Sequence, residues 1–211
     1  MVARKVLTRA EAHARTRDEL IDAAEQLFLV NGYRTTSIAA VAAEAGRTVG
    51  AIYSNFDSKE DLCLEVLKRW VSAEVASLAA DLATSSGDDV DARVAVLTAW
   101  WAGVSANSNL VILVAEYMLS ILRDFARRAE MVSTCKTVIE VLSELLATFL
   151  PEGLTTSDDA AMEAAQALIF TGVGLSAGQA AGVIGSDDSV TIFTSTLRLI
   201  LGDLIASVTP A

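Results

Sequence analysis

Apolar residues at Leu20, Ala23, Ala24 and Leu27 recur at i, i+3, i+4 and i+7, the spacing of one face of an α-helix. The pattern stops at Asn31-Gly32, a pair suited to ending a helix. A second face follows at Ile38, Val41, Ala42 and Ala45, with Thr36 or Ser37 as its cap and Gly46 as its stop. Thr48 is placed to cap a short third helix that turns Ile52 and Phe56 inward. Ser58-Lys59-Glu60-Asp61 has the form of a capping box with Asp in place of Glu, and starts a fourth helix over about residues 59–83.

One device recurs further along: "SSGDD" (85–89), "TTSDD" (155–159) and "GSDD" (185–188). Each stands where an apolar helical run begins. A serine can cap there and the aspartates complement the helix dipole, so these are helix starts near 88, 158 and 187, not carboxylate sites. Residues 109–150 add one or two helices, with a break expected around Arg123-Asp124 and a stop at Leu150-Pro151-Glu152-Gly153. The last two helices are placed at about 158–183 and 187–207. No alternating β-branched run reads as a strand, alanine is abundant, and Pro151 and Pro210 are the only prolines. The fold class is therefore all-α, with about nine helices.

Two uncharged runs, within 94–115 and 164–186, are long enough to span a bilayer. Ser105, Asn107, Ser108 and Asn109 interrupt the first. The second is built from alanine and glycine more than leucine and holds Gln166 and Gln179. Both read as buried helices, and no membrane is expected as a partner.

Composition agrees with a large core: 53% of the 211 residues are hydrophobic. The formal charge of −11 is unevenly spread. Residues 1–69 balance ten Lys/Arg against ten Asp/Glu, whereas residues 70–211 hold six against seventeen. The first seventeen residues carry Arg4, Lys5, Arg9, Arg15 and Arg17 against Glu11 alone. Such asymmetry points to different partners for the two parts. Cys63 and Cys135 fit neither a disulfide framework nor a metal site, and the N-terminus lacks a secretory h-region, so a reduced, cytoplasmic location is expected. The single histidine, His13, lies in the basic N-terminal stretch, and there is no nucleophile elbow, phosphate loop or metal cluster. No enzyme, cofactor or metal is expected.

Three short helices followed by a long one, with glycine between the second and third, describe a helix-turn-helix. Ala42 and Ala45 allow the close crossing against Ile52 and Phe56, and Gly46 supplies the turn. Gly50 and Ala51 keep the third helix slim enough to approach a groove floor. Thr48, Ser54 and Asn55 offer hydrogen-bonding groups to base edges or phosphates, Tyr53 a hydroxyl, and Lys59 an ammonium.

The segment "TRDELIDAAEQLFLVNGYRTTSIAAVAAEAGRTVGAIYSNFDSKEDLCLEVL" resembles the DNA-binding domain of the TetR (tetracycline repressor) family of bacterial transcriptional regulators. Ala23-Ala24, Leu27-Phe28, Gly32-Tyr33, Thr36-Ser37-Ile38, Val41-Ala42, Ala45-Gly46, Gly50, Ile52-Tyr53, Phe56, Lys59 and Leu62 carry the likeness. It implies a basic arm over 1–15, a helix-turn-helix domain over 16–62 and a ligand-binding and dimerisation domain over 63–211. It also implies a homodimer, most simply a repressor, that leaves a palindromic double-stranded DNA operator when a small apolar effector binds. A helical interaction module without DNA binding, or an activator of the same fold, is the alternative. The implied DNA contacts are Thr36 or Ser37, then Thr48, Val49, Gly50, Ala51, Tyr53, Ser54, Asn55 and Lys59. Arg47 stands where the family usually has an aliphatic residue. It is read either as a solvated turn residue or as a phosphate or guanine contact. The basic arm is a second source of positive charge.

In the C-terminal part, Trp100, Trp101, Tyr117, Met118 and Phe170 fall where the family builds its ligand cavity, although aromatic residues at helical spacing are also ordinary core. Glu116 is the single charge between residues 94 and 122. It is read either as an edge residue or as the partner of a cationic ligand. Gly174, Gly178 and Gly182 recur every four residues and predict one small-residue stripe at a dimer interface.

Overall fold

The computed structural model describes residues 8–84, 90–150, 154–206 and 209–210. Nine helices occur among the described residues: α1 (Arg9–Asn31), α2 (Ile38–Glu44), α3 (Val49–Tyr53), α4 (Lys59–Thr84), α5 (Val90–Ser105), α6 (Ser108–Ile121), α7 (Phe125–Ala147), α8 (Asp158–Ala180) and α9 (Ser186–Ala206). A minimal antiparallel pair joins β1 (Leu154–Thr155) to β2 (Thr209–Pro210), with Leu154 opposite Pro210. No sequence pattern announces it, because two residues are too few to show alternation.

Local signals account for most helix ends. Ser37, Thr48 and Ser157 cap α2, α3 and α8, each accepting the backbone N–H three residues on. Ser58 likewise accepts from Asp61 N at 3.0 Å. The break after α6 falls at Leu122-Arg123-Asp124, and the long uncharged run is interrupted at Ala106-Asn107, where the Asn107 side chain accepts from Leu110 N. The "SSGDD" stretch and residues 151–153 of the "LPEG" stop lie outside the described residues.

The start of α1 departs from the sequence reading. Residues 9–15, assigned there to a basic arm, are the first two turns of this helix. A capping box between Thr8 and Glu11, whose backbone N–H groups each meet the other's side chain, sets the start with no apolar face to advertise it. Arg4 and Lys5 lie outside the described residues.

The chain divides into two compact units, Met1–Trp70 with Ile112–Asp124, and Val71–Val111 with Phe125–Ala211. The division falls inside α4, between Trp70 and Val71, and Leu62, Cys63, Leu64, Val66 and Leu67 of the first part of that helix are all buried. In the first unit Leu20, Ala24, Phe28, Val41 and Ile52 form the inner surface of α1–α3. In the second, α7 packs on α8, α8 on α9 and α5 on α9. Trp101 stacks on Phe193 there, with ring centroids 4.7 Å apart and planes 11° apart. Gly172 makes room for this stack, since a Cβ on it would lie 3.0 Å from the Trp101 ring.

Candidate nucleic-acid interface

The turn between α2 and α3 is a Schellman motif. Gly46 takes φ +62°, its N–H donates to Ala43 O (3.1 Å), and Arg47 N–H donates to Ala42 O (2.8 Å). A side chain at Gly46 would resist that conformation, so glycine is required by backbone and not by crowding. Arg47 then leads directly into the Thr48 cap of α3. Val41, Ala42, Ile52 and Phe56 bury the inner faces. Thr48, Val49, Gly50, Tyr53 and Ser54 stand at the surface, with the Tyr53 ring more than half exposed. One exposed face of a short helix thus carries a hydroxyl, a phenol, a bare backbone position and a small apolar side chain, a set suited to phosphate and base-edge contact.

The remaining sequence candidates are more constrained. Thr36 is buried, and its hydroxyl donates within the fold, to Gly32 O (2.8 Å) and Leu27 O (3.1 Å). That is a correction: of the Thr36–Ser37 pair, only Ser37 is at the surface. Asn55 is turned back on its own helix, its Nδ2 donating to Ala51 O at 2.8 Å, and its Oδ1 is buried without a partner among the described residues. Its amide is therefore not free for a base edge. The Lys59 ammonium sits 4.3 Å from the Tyr33 ring centroid, and burial holds its pKa below the usual lysine value. Arg47 is not a free turn residue. Its Nε and Nη2 both donate to Glu19 Oε2 on α1, the former at 3.1 Å, and Arg15 Nε donates to Glu19 Oε1 at 2.9 Å. These two guanidinium groups hold the Glu19 carboxyl below its usual pKa.

The sequence profile of the bacterial regulatory proteins, tetR family, matches residues 20–66, the span that forms this site. Residues 20–66 thus carry a DNA-binding domain of the TetR type. It is similar to the HTH-type transcriptional repressor BepR of Brucella suis biovar 1 (strain 1330), 42% identical over 62 residues. That match covers 29% of this chain and spans about 29% of the length of BepR. The fold as a whole is similar to SCO4454, a TetR-family transcriptional regulator from Streptomyces coelicolor, at TM-score 0.63 and 20% identity over 91% of this chain and 97% of that one. It is also similar to the transcriptional regulator FadR from Bacillus subtilis in complex with stearoyl-CoA, at TM-score 0.60 and 20% identity over 87% and 97% of the two chains.

The six TetR-type pocket candidates are not one group. Glu116, Tyr117 and Met118 belong to the unit that holds the helix-turn-helix; Trp100, Trp101 and Phe170 belong to the other. Glu116 Oε2 accepts from Tyr33 N at 2.6 Å and Arg34 N at 3.4 Å, so it anchors the turn after α1. Tyr117 is fully buried with its ring edge-on to Tyr33. The Tyr33 hydroxyl donates to Glu60 at 2.8 Å; burial and this acceptor raise its pKa. Met118 and Phe170 are exposed, Trp101 is core, and half-buried Trp100 donates from Nε1 to Glu74 at 3.0 Å.

The glycine stripe is also incomplete. Gly182 lies beyond α8 with φ +70° and forms its Schellman end, its N–H donating to Gln179 O and that of Val183 to Gly178 O. Gly178 faces Ile184 of its own chain, while Gly174 has open space around it. Sequence reading missed Glu19, and it placed Glu116 at an edge or in a ligand pocket without its bond to the Tyr33 turn. The spacing of Arg15 and Glu19 (i, i+4) is a signal for one pair, but nothing local relates Glu116 to Tyr33.

Proposed function

We propose that this chain is a homodimeric, cytoplasmic transcriptional repressor of the TetR family that binds a palindromic DNA operator and is released by a small apolar effector. The observation that carries the reading is the exposed face of α3, set by the Schellman turn at Gly46 and bearing Thr48, Val49, Gly50, Tyr53 and Ser54. Its small residues permit approach to a groove floor, and the Thr48 hydroxyl, which accepts from Ala51 N, still has a proton to donate.

Dimerisation is supported by the outer faces of α8 and α9. Ala167, Phe170, Val173, Gly174 and Ala177 are exposed on α8, and Ile192, Ser195, Leu199, Gly202 and Ala206 on α9, with no charge among them. Both helices are also long and apolar enough to cross a membrane. An isologous four-helix contact removes such faces from water equally well and suits the bare Gly174 and Gly202 positions. Phe170 fits this face better than a ligand cavity. Effector release is supported by the α4 helix, which runs uninterrupted through residues of both units, and FadR from Bacillus subtilis, of similar fold, is in complex with stearoyl-CoA, a molecule with a long apolar chain. The effector would shift the dimer toward a state whose two α3 helices no longer match half-sites about 34–36 Å apart.

Genomic fragments captured by the purified protein test the reading. A discrete palindromic site, occupied by a dimer in light scattering and repressing a reporter, is the expected result. No discrete site would favour an interaction module, activation of the reporter would reverse the regulatory sign, and a monomer at micromolar concentration would remove the dimer.

A further inference from the structure

The Arg15–Glu19–Arg47 cluster adds something the helix-turn-helix reading does not contain. Arg47 is the one guanidinium of the turn itself, directly before the cap of α3, yet two of its donor nitrogens converge on a single oxygen of Glu19. The other oxygen of that carboxylate takes Arg15. The cluster lies at the surface, with Arg15 exposed and Arg47 and Glu19 partly so. Other cations of the same unit are engaged in the same manner: Arg17 and Lys68 with Glu65, at 2.5 and 3.2 Å, and Arg69 with Asp22 at 2.6 Å and with Glu25. A unit offered to a polyanion therefore has much of its positive charge tied to its own carboxylates.

We propose that Glu19 occupies Arg47 in place of a DNA phosphate, and that DNA binding exchanges the Glu19 carboxylate for a backbone phosphate on the Arg47 guanidinium. Glu19 is thus an affinity-limiting residue of the interface. The proposal rests on the DNA-binding reading above. Three physical points support it. A carboxylate and a phosphodiester both present charged oxygens that take charge-assisted hydrogen bonds from a guanidinium, so one can replace the other on Arg47. An exposed ion pair is a weak interaction, so breaking it takes little from the fold. A carboxylate left beside the phosphate chain repels it, so binding feels Glu19 both as a competitor and as a charge. Together these hold down binding to any sequence, because phosphate contacts carry no base information, and leave discrimination to the exposed residues of α3.

The test uses the full chain and a fluorescein-labelled random-sequence duplex, titrated by anisotropy over a range of salt. Glu19→Gln keeps the side-chain length and a carbonyl acceptor while removing the charge. The expected result is affinity raised several-fold to about tenfold, with a log–log salt slope close to the parent's, because Arg47 meets the phosphate in both complexes. Arg47→Gln in the Glu19→Gln background should cancel the gain. Asp18→Asn, which neutralises an exposed neighbouring carboxylate of α1, should give a clearly smaller gain. Unfolding curves for each variant establish that the fold is kept. The exchange is overturned if Glu19→Gln binds no tighter than the parent, if the gain survives loss of Arg47, or if Asp18→Asn matches it. A parent protein that binds no duplex even at low salt overturns the DNA-binding reading itself, a result distinct from these.

Discussion

Replacing Glu116 by alanine removes the acceptor that holds the turn after α1. In the native protein Glu116 Oε2 lies 2.6 Å from the N–H of Tyr33, a residue only 4% exposed, and 3.4 Å from the N–H of Arg34 at the surface. No water replaces a carboxylate easily at the Tyr33 amide. Its loss should therefore cost about 1–3 kcal/mol, the penalty for a buried donor left unmade. The Arg34 contact is long and exposed, and adds little. Glutamine keeps an acceptor without the charge; since charge-assisted bonds are about twice as strong as neutral ones, Glu116→Gln should cost about half as much. Urea unfolding followed by far-ultraviolet circular dichroism measures both losses, and hydrogen exchange should show faster local opening at Tyr33. An alanine variant within about 0.5 kcal/mol of the parent, the scale of an ordinary surface substitution, would refute the anchoring role. So would a glutamine variant as unstable as alanine.

Three further expectations follow from individual residues. A Cβ at Gly46 would meet no atom within 4 Å, but the residue takes φ +62°, so Gly46→Ala should cost about 1–2 kcal/mol from backbone conformation alone. Gly46→Asn should cost less, and equal losses on urea unfolding would contradict that cause. At Gly172 the reason is crowding: a Cβ 3.0 Å from Trp101 should cost about 1–3 kcal/mol and shift Trp101 fluorescence, whereas an unchanged spectrum would argue against the close approach. For Glu19, Arg47 and then Arg15 lower the folded pKa below 4.5. The pair's contribution to stability is therefore full above that value and is lost as pH falls through the lower folded value. The stability difference between the parent and Glu19→Gln should shrink to nothing in acid, and a difference that persists there would count against the ion pair.

Helix starts and stops were legible in the chain wherever the cause is local. Ser37, Thr48 and Ser157 act on an amide three residues away, and Gly46 ends α2 through its own φ. The helix-turn-helix and its outward residues Gly50 and Tyr53 followed from spacing, because helical periodicity assigns one face inward once Ile52 and Phe56 are buried, whereas Val49 was implied by the family resemblance. Gly182 shows the limit of periodicity. Four-residue spacing placed it on a stripe with Gly174 and Gly178, but the helix ends before it, and a glycine that caps cannot be told from one that packs by position alone.

By itself, the sequence determined the all-α class, the order of the helices and the exposed face of α3, since these depend on propensities, caps and periods within a few residues. The tertiary structure alone decided which polar groups of the site are free. Thr36 and Asn55 spend their donors on nearby carbonyls, but Arg47 meets Glu19 across 28 residues of chain and Glu116 meets Tyr33 across 83. The physical reason is that a hydrogen bond or ion pair depends on distance in space. Composition and periodicity fix direction along one helix, and only packing brings a carboxylate from another helix to the donor that needs it.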